Sequence, residues 1–356
     1  MYVRQRATDE LSASNNSVLL LRKNYGKQNN IGILVANKFE NSLINSKTNT
    51  NSTATIVGFN RISDNLNFSY NLSGSTSNGD TKDDGYAANT SLSYDSNDWS
   101  LLWNAGIVSK SYNPKLGFLA RNDFVKNYVD AYLNKRKLSW FPKFIRSWEP
   151  GIGIDVYQNT TDLQLQEVYI GFYPIYFRFN NGTKFVAKYE YNHQNLVQNF
   201  SPLDIEILAG KYNYSALSMS YFCDQSSKLS FTTDVTLGGF YNGNIATYNL
   251  EIRYAPLPQL AFSMNYEENQ IKKLGIKNES LNTKLITPNI RMALNARLQM
   301  NVFYQYNTAN ERSRWNARLS WEYQPQSFVY LVFNENKTND FKQDQTIAKI
   351  SFLKQF

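Results

Sequence analysis

Eight charged side chains in the C-terminal part of the chain have the types and spacing to do chemistry. Arg253, Arg291, Arg297, Arg312, Arg314 and Arg318 fall near two carboxylates, Glu251 and Glu322. Guanidinium groups hold carboxylate or phosphate through paired N–H donors, so six of them suit an anionic solute. The same residues could instead form an Arg–Glu ladder that only stiffens a wall. Glycoside hydrolysis needs two carboxyls at a defined separation, and Glu251 with Glu322 is the pair to test for it. No local motif surrounds either residue. His193 is the sole histidine and Cys223 the sole cysteine. A Ser-His-Asp triad would have to run through His193, which reads as a solvated residue at the edge of a loop. One cysteine leaves no intramolecular disulfide and no thiolate cluster, and one histidine removes histidine-based metal sites. The chain is therefore expected to have no catalytic residues, no metal and no cofactor.

The segment 312–334 shows what would position those arginines. Trp315, Ala317, Leu319, Trp321 and Tyr323 fall on one parity, and Arg314, Asn316, Arg318, Ser320 and Glu322 on the other. Side chains alternate faces along a strand, so one face is apolar and the other strongly polar. The pattern recurs at Leu66–Leu72, Trp99–Ile107, Phe185–Tyr191, Leu229–Leu237, Tyr248–Tyr254, Phe262–Tyr266 and Leu298–Tyr306. Runs of this length fit a tilted membrane-spanning strand of about 9–11 residues. The expected fold is all-β: a transmembrane antiparallel up-and-down β-barrel with its apolar face outside and a polar lumen. At about ten residues per strand it would have about 18 strands (roughly 16–20), in a single domain over residues 1–356.

Composition agrees. A mean hydropathy of −0.50 looks soluble, but half of every barrel strand faces a polar lumen and lowers the average. The longest apolar run, Phe328–Phe333, has six residues, far short of the roughly 20 of a spanning helix. Tyr 25, Phe 22 and Trp 6 make 15% aromatics, which suits girdles at two membrane interfaces better than a soluble sandwich. Net charge is +8, yet the basic residues are dispersed and no nucleic-acid motif is present. The expected partners are the lipid bilayer and lipopolysaccharide, with an anionic or glycan ligand inside and no nucleic acid.

Turn clusters such as Ser63-Asp64, Asn180-Asn181-Gly182, Asp224–Ser227 and Asn242-Gly243 separate the runs, and tight turns alternate with longer loops. The segment Tyr112–Phe124 breaks the alternation and is expected to pack inside the barrel or against its rim. Pro142 and Pro174 point to bulges or strand ends, and the parity change at Gln166-Glu167 reads as a bulge. Ala348–Phe356 forms a last amphipathic strand ending on an aromatic residue, the kind of signal read by the outer-membrane assembly machinery. Met1–Arg6 has no signal-peptide h-region. The expectation is that an export signal and the first barrel strands precede Met1, leaving an imperfect seam between the first and last strands.

Several stretches carry a family resemblance. Tyr112–Arg121, Phe179–Gly182, Gly239–Gly243, Gln305–Asn307 and above all Trp321–Glu335 resemble a β-barrel domain of unknown function in Bacteroidota outer-membrane proteins. The similarity runs along residues 1–356 at low specificity and is best at the C-terminal motif. In that family the barrel usually follows a module similar to family-9 carbohydrate-binding domains, which is missing here along with the signal peptide. The resemblance implies an outer-membrane location in a Gram-negative bacterium and transfers no catalytic residues. Three functions follow as expectations: a passage or surface-receptor barrel without catalysis, a membrane anchor for a carbohydrate-binding module or surface complex, and a glycan-active hydrolase.

Overall fold

The computed structural model describes residues 2–6, 12–41, 48–79, 82–136, 139 and 141–353. Its first strands are β1 (Tyr2–Gln5), β2 (Ser14–Tyr25), β3 (Asn29–Asn41), β4 (Thr48–Arg61), β5 (Leu66–Asn78), β6 (Asp83–Asp95), β7 (Trp99–Val108) and β8 (Phe124–Leu133). Next come β9 (Lys135–Arg136), β10 (Ile145–Trp148), β11 (Gly151–Gln158), β12 (Leu165–Phe179), β13 (Lys184–Leu196), β14 (Gly210–Phe222) and β15 (Leu229–Phe240). The last are β16 (Gly243–Leu257), β17 (Leu260–Leu274), β18 (Glu279–Ala293), β19 (Leu298–Asn307), β20 (Arg312–Gln324), β21 (Ser327–Lys337) and β22 (Lys342–Ser351). All belong to one sheet of 22 strands, and no α-helix occurs among the described residues.

Two compact units are present. The first comprises Met1–Asn134, Pro150–Phe172 and Asn192–Asn195; in it each strand from β1 to β8 pairs antiparallel with the next, and β8 pairs with β11. The second comprises Lys135–Glu149, Tyr173–Tyr191 and Leu196–Phe356; in it β10 joins β9 to β12, and β14 to β22 pair in chain order. Hairpin chemistry sets these registers. Tyr241-Asn242 alone links β15 to β16, with Tyr241 at φ 51°, and such left-handed residues match the twist of paired strands.

Twenty-two strands exceed the expected number of about 18. The surplus comes from β1, β9 and β10, of two to four residues each; without them the count falls inside the expected range. Nor is the sheet closed. Among the described residues β1 pairs on one side, with β2, and β22 on one side, with β21. The proposed assembly signal at residues 354–356 lies outside the described residues. Pro142 lies beyond a strand end, but Pro174 sits within β12. The parity change at Gln166-Glu167 falls inside β12, between Leu165 and Val168: Leu165 and Phe172 are both exposed although they lie on opposite parities of the strand. His193 lies within β13 and is half-buried, not at the edge of a loop.

Burial is inverted relative to a soluble sheet. The exposed apolar side chains of β16–β18 are Tyr248, Tyr254, Phe262, Met264, Ile290 and Met292, on one parity, together with Leu257, which follows a register shift after Tyr254. In β20 and β21 they are Trp315, Leu319, Trp321, Leu331 and Phe333, again on one face. Ile56 and Leu72 do the same in β4 and β5 and face each other in register. The buried strand residues are largely small and polar: Asn51, Thr53, Ser75 and Ser77 in the first unit, Ser218, Ser230 and Thr283 in the second. A water-facing antiparallel sheet hides its apolar face instead. The chain exposes 22800 Å² for 41.1 kDa, whereas a compact soluble monomer of that mass exposes about 14,700 Å².

Candidate functional site: the polar face of the sheet

In the first unit the polar face is a wall of hydroxyl and amide groups. The chain between β7 and β8 lies across it. Asn51 is the central fastener: its Nδ2 donates to Ser77 Oγ and to the Asn113 carbonyl, each at 2.8 Å, and its Oδ1 accepts from Lys115 N at 2.9 Å. Asn113 N donates to Ser75 Oγ at 2.9 Å, and the Tyr112 hydroxyl meets Ser73 Oγ at 2.7 Å. Tyr86 N donates to Ser109 Oγ at 2.9 Å. Gly85 is required beneath this strap, because a Cβ there would lie 2.2 Å from Tyr112 N. Tyr112 is buried as a result. Of the segment Tyr112–Phe124, expected inside the barrel or against its rim, Tyr112, Asn113 and Lys115 bond to the polar face of the first unit.

The far part of that segment joins a charged and aromatic network on the same unit. Arg121 Nη1 contacts Glu167 Oε1 at 2.6 Å, and its guanidinium lies 5.1 Å from the Tyr157 ring centroid. Lys126 pairs with Asp155 at 2.9 Å and sits 4.9 Å from the same ring. Asp123 accepts hydrogen bonds from Thr160 N and Oγ1, tying the start of β8 to the β11–β12 turn. The Thr160 hydroxyl, more than any other group, holds the Asp123 carboxyl below its ordinary range.

The second unit carries the charged wall. Arg253 lies in β16, half-buried, opposite Ser230 and Ser263. Arg291 of β18 and Arg318 of β20 both flank Asn301 of β19, so these two share one row. The Arg318 guanidinium sits 4.6 Å from the Tyr330 ring centroid. Arg312 Nε donates to Asn336 Oδ1 at 2.7 Å, and Arg314 lies opposite Gln305 and Asn336. All five are on the parity opposite the exposed apolar residues. Arg297 immediately precedes β19 in the exposed β18–β19 connection; its carbonyl accepts from Glu322 N at 2.8 Å, which carries the β19–β20 register one residue further, and its own N–H is capped by Asn295 Oδ1 at 2.8 Å.

The two expected counter-charges are not brought together. Glu251 lies on β16 and Glu322 on β20, and at about 4.8 Å per strand four strands separate them by about 19 Å. Glycosidase carboxyls stand about 5–10 Å apart, so this pair cannot do that chemistry. Glu322 Oε1 accepts from Gln326 N at 2.8 Å and caps the β20–β21 turn. Among the described residues no ion pair links the six arginines to either glutamate, so an Arg–Glu ladder of these groups is not formed.

Two acidic residues escaped notice in the sequence. Asp234 and Glu267 both lie opposite Asn249, and with Glu251 they line a pocket of about 390 Å³ walled by Thr232, Asn249, Asn265 and Thr287. Their parity was legible; that β15, β16 and β17 would set them in adjacent rows required the register. The arginines thus share their wall with an acidic sector. Among the described residues no cluster of three or more histidine, cysteine or acidic groups is placed to hold a metal ion.

No family model and no curated protein matches the chain. Solved structures do. A variant of the ferric enterobactin receptor from Pseudomonas aeruginosa matches with a TM-score of 0.58 at 8% identity, over 98% of this chain and 70% of that one. The siderophore receptor PirA from Acinetobacter baumannii matches with a TM-score of 0.53 at 7% identity, over 98% and 72%. OmpF from Salmonella typhi, in complex with daunomycin, aligns at 0.41 and 11% identity over 86% and 92%. What these likenesses define is the fold: an antiparallel all-β sheet like that of the two receptors.

Proposed function

We propose that the chain is an outer-membrane β-barrel domain of a Gram-negative bacterium, acting as a passage or surface-receptor barrel without catalysis. The observation that supports this best is the inverted burial, with apolar side chains exposed on one face and a polar, charged face opposite. Such a sheet is stable where the apolar face meets hydrocarbon and the other meets water. Likeness to two receptor structures supports the same reading. On this reading the polar face is the lumen wall, and Arg253, Arg291, Arg312, Arg314 and Arg318 give it a sector for anionic solutes or acidic groups of a glycan ligand. The strap at 109–117 narrows the lumen on the side of the first unit. The sequence resemblance to the Bacteroidota barrel domain supports the further proposal that a carbohydrate-binding-like module accompanies the barrel.

Planar-bilayer conductance of the full chain tests the reading. The expected result is channels with anion preference that falls when Arg314 and Arg318 are changed to Gln. A chain that inserts but neither conducts nor binds anionic solutes would leave the second reading, a membrane anchor.

A further inference from the structure

On the outward face of β17 the side chains run Phe262, Met264, Tyr266 and then Glu268, Gln270, Lys272. On β18 they run Met292, Ile290, Pro288, Ile286 and then Lys284, Asn282, Ser280. The change from apolar to polar comes at one level, because Tyr266 faces Ile286 and Glu268 faces Lys284. From Ile286 to the turn residue Leu294 the strand rises about 26 Å, or about 20 Å of height at a tilt near 40°, close to the apolar band of about 25 Å in such barrels. At the end of these strands that holds the β16–β17 and β18–β19 turns, Leu257 and Leu294 are exposed beside the turn residues Gln259, Asn295 and Arg297. The opposite end is where the lysines are.

Lys272 and Lys284 lie on the outward face, and Lys273 and Lys277 are exposed at the tip. One of the four has a carboxylate partner: Lys284 Nζ pairs with Glu268 Oε1 at 3.8 Å and keeps 42% of its side chain exposed. Glu268 also accepts from the Tyr266 hydroxyl at 2.6 Å, Asn282 Nδ2 at 3.0 Å and Gln270 Nε2 at 3.1 Å, all neutral donors. The backbone that presents these lysines is held fast. Leu274 is fully buried and Ile271 nearly so, packed with Ile205 and Ile207 of the β13–β14 connection. Ile276 N donates to the Glu206 carbonyl at 3.0 Å, and Gly275 N to Asn242 Oδ1 at 3.0 Å. Lys273, at φ 55°, sits in the bulge between Ile271 and Leu274.

Resting on the reading of the apolar face as lipid-facing, we infer that the β17–β18 hairpin is a docking surface for phosphate-bearing lipid headgroups. Four ammonium groups on a pre-ordered hairpin, beginning about 5 Å above the apolar band at Lys284 and reaching about 15 Å above it at Lys272, match phosphates in charge. Little further ordering is needed on binding.

The test is the thermal midpoint of the full chain in phosphatidylcholine vesicles with and without phosphatidic acid, insertion being followed separately by protease protection. Phosphatidic acid should raise the wild-type midpoint by several degrees, and added salt should erode the gain. Lys272→Gln, Lys273→Gln, Lys277→Gln and Lys284→Gln together should remove at least half of it, and the corresponding Arg variants should keep it. An equal gain in the Gln variant, or an inserted wild type that gains nothing, would overturn the inference. Failure to insert in either vesicle would instead overturn the lipid-facing reading on which it stands.

Discussion

The polar faces of the two units solve different problems with different residues. In the first, Asn51, Ser73, Ser75 and Ser77 spend their hydrogen bonds on the chain's own strap. In the second, Arg253, Arg291, Arg314 and Arg318 have no carboxylate partner among the described residues, and a pocket of about 390 Å³ lies open beside Asp234, Glu251 and Glu267. Short neutral side chains suit the first task because each can satisfy one backbone group without the desolvation that a charge would incur. Long charged side chains suit the second because their heads stay hydrated while their stems lie along the wall. One wall is closed on itself and the other keeps its charged groups and a pocket open.

The largest expected effect tests the frame both walls share. Leu250→Arg in β16 and Ile56→Arg in β4 should each cost about 2–4 kcal/mol in a bilayer if they lie near its midplane. Asn249→Arg, one residue from Leu250 on the opposite face, should cost little. Equal costs at Leu250 and Asn249, read from denaturant titration in vesicles, would show that the two faces do not differ in solvent.

Next comes the strap. Asn51→Ala removes three side-chain hydrogen bonds and leaves the Asn113 carbonyl and Lys115 N to find other partners. The expected cost is about 1–3 kcal/mol, with faster hydrogen exchange over 109–117 and larger conductance. Unchanged exchange would mean that the strap is held by its backbone alone. A smaller effect is expected on the other wall: Arg314→Gln with Arg318→Gln should change ion preference and leave stability nearly as it was, since neither side chain has an ion-pair partner among the described residues.

Parity made the inverted sheet legible without coordinates, because a period of two is a local property that every strand repeats. Arg291, Arg314 and Arg318 were readable for the same reason. What parity cannot carry is register. The neighbours of Asp234 and Glu267 on β16, and the roughly 19 Å between Glu251 and Glu322, depend on how far each strand slides past the next. The strap was visible only as a break in pattern; its partners Asn51 and Ser75 lie dozens of residues away in sequence, and nothing local marks them.

The smallest expected effect is a difference in acid response. Asp123 in the first unit is held below the ordinary carboxylate range chiefly by the Thr160 hydroxyl, and Asp224 in the second by the backbone N–H and hydroxyl of Ser226. A depressed folded-state pKa contributes stability above the unfolded value, near 3.8, and loses it as pH falls through the folded value. Both links should therefore be intact at pH 5 and loosen below about pH 4. Their consequences differ because of reach. Asp224 and Ser226 close a single turn two residues apart, so acid should free only that turn. Asp123 and Thr160 join the β7–β8 connection to the β11–β12 turn across 37 residues of chain, so acid should speed hydrogen exchange in both segments together. Thr160→Val should bring the pH 5 exchange rate of the β7–β8 connection to its acid value while leaving the β14–β15 turn unchanged. If acid speeds exchange in that connection equally in the wild type and in Thr160→Val, the Asp123–Thr160 link is not what ties these segments together.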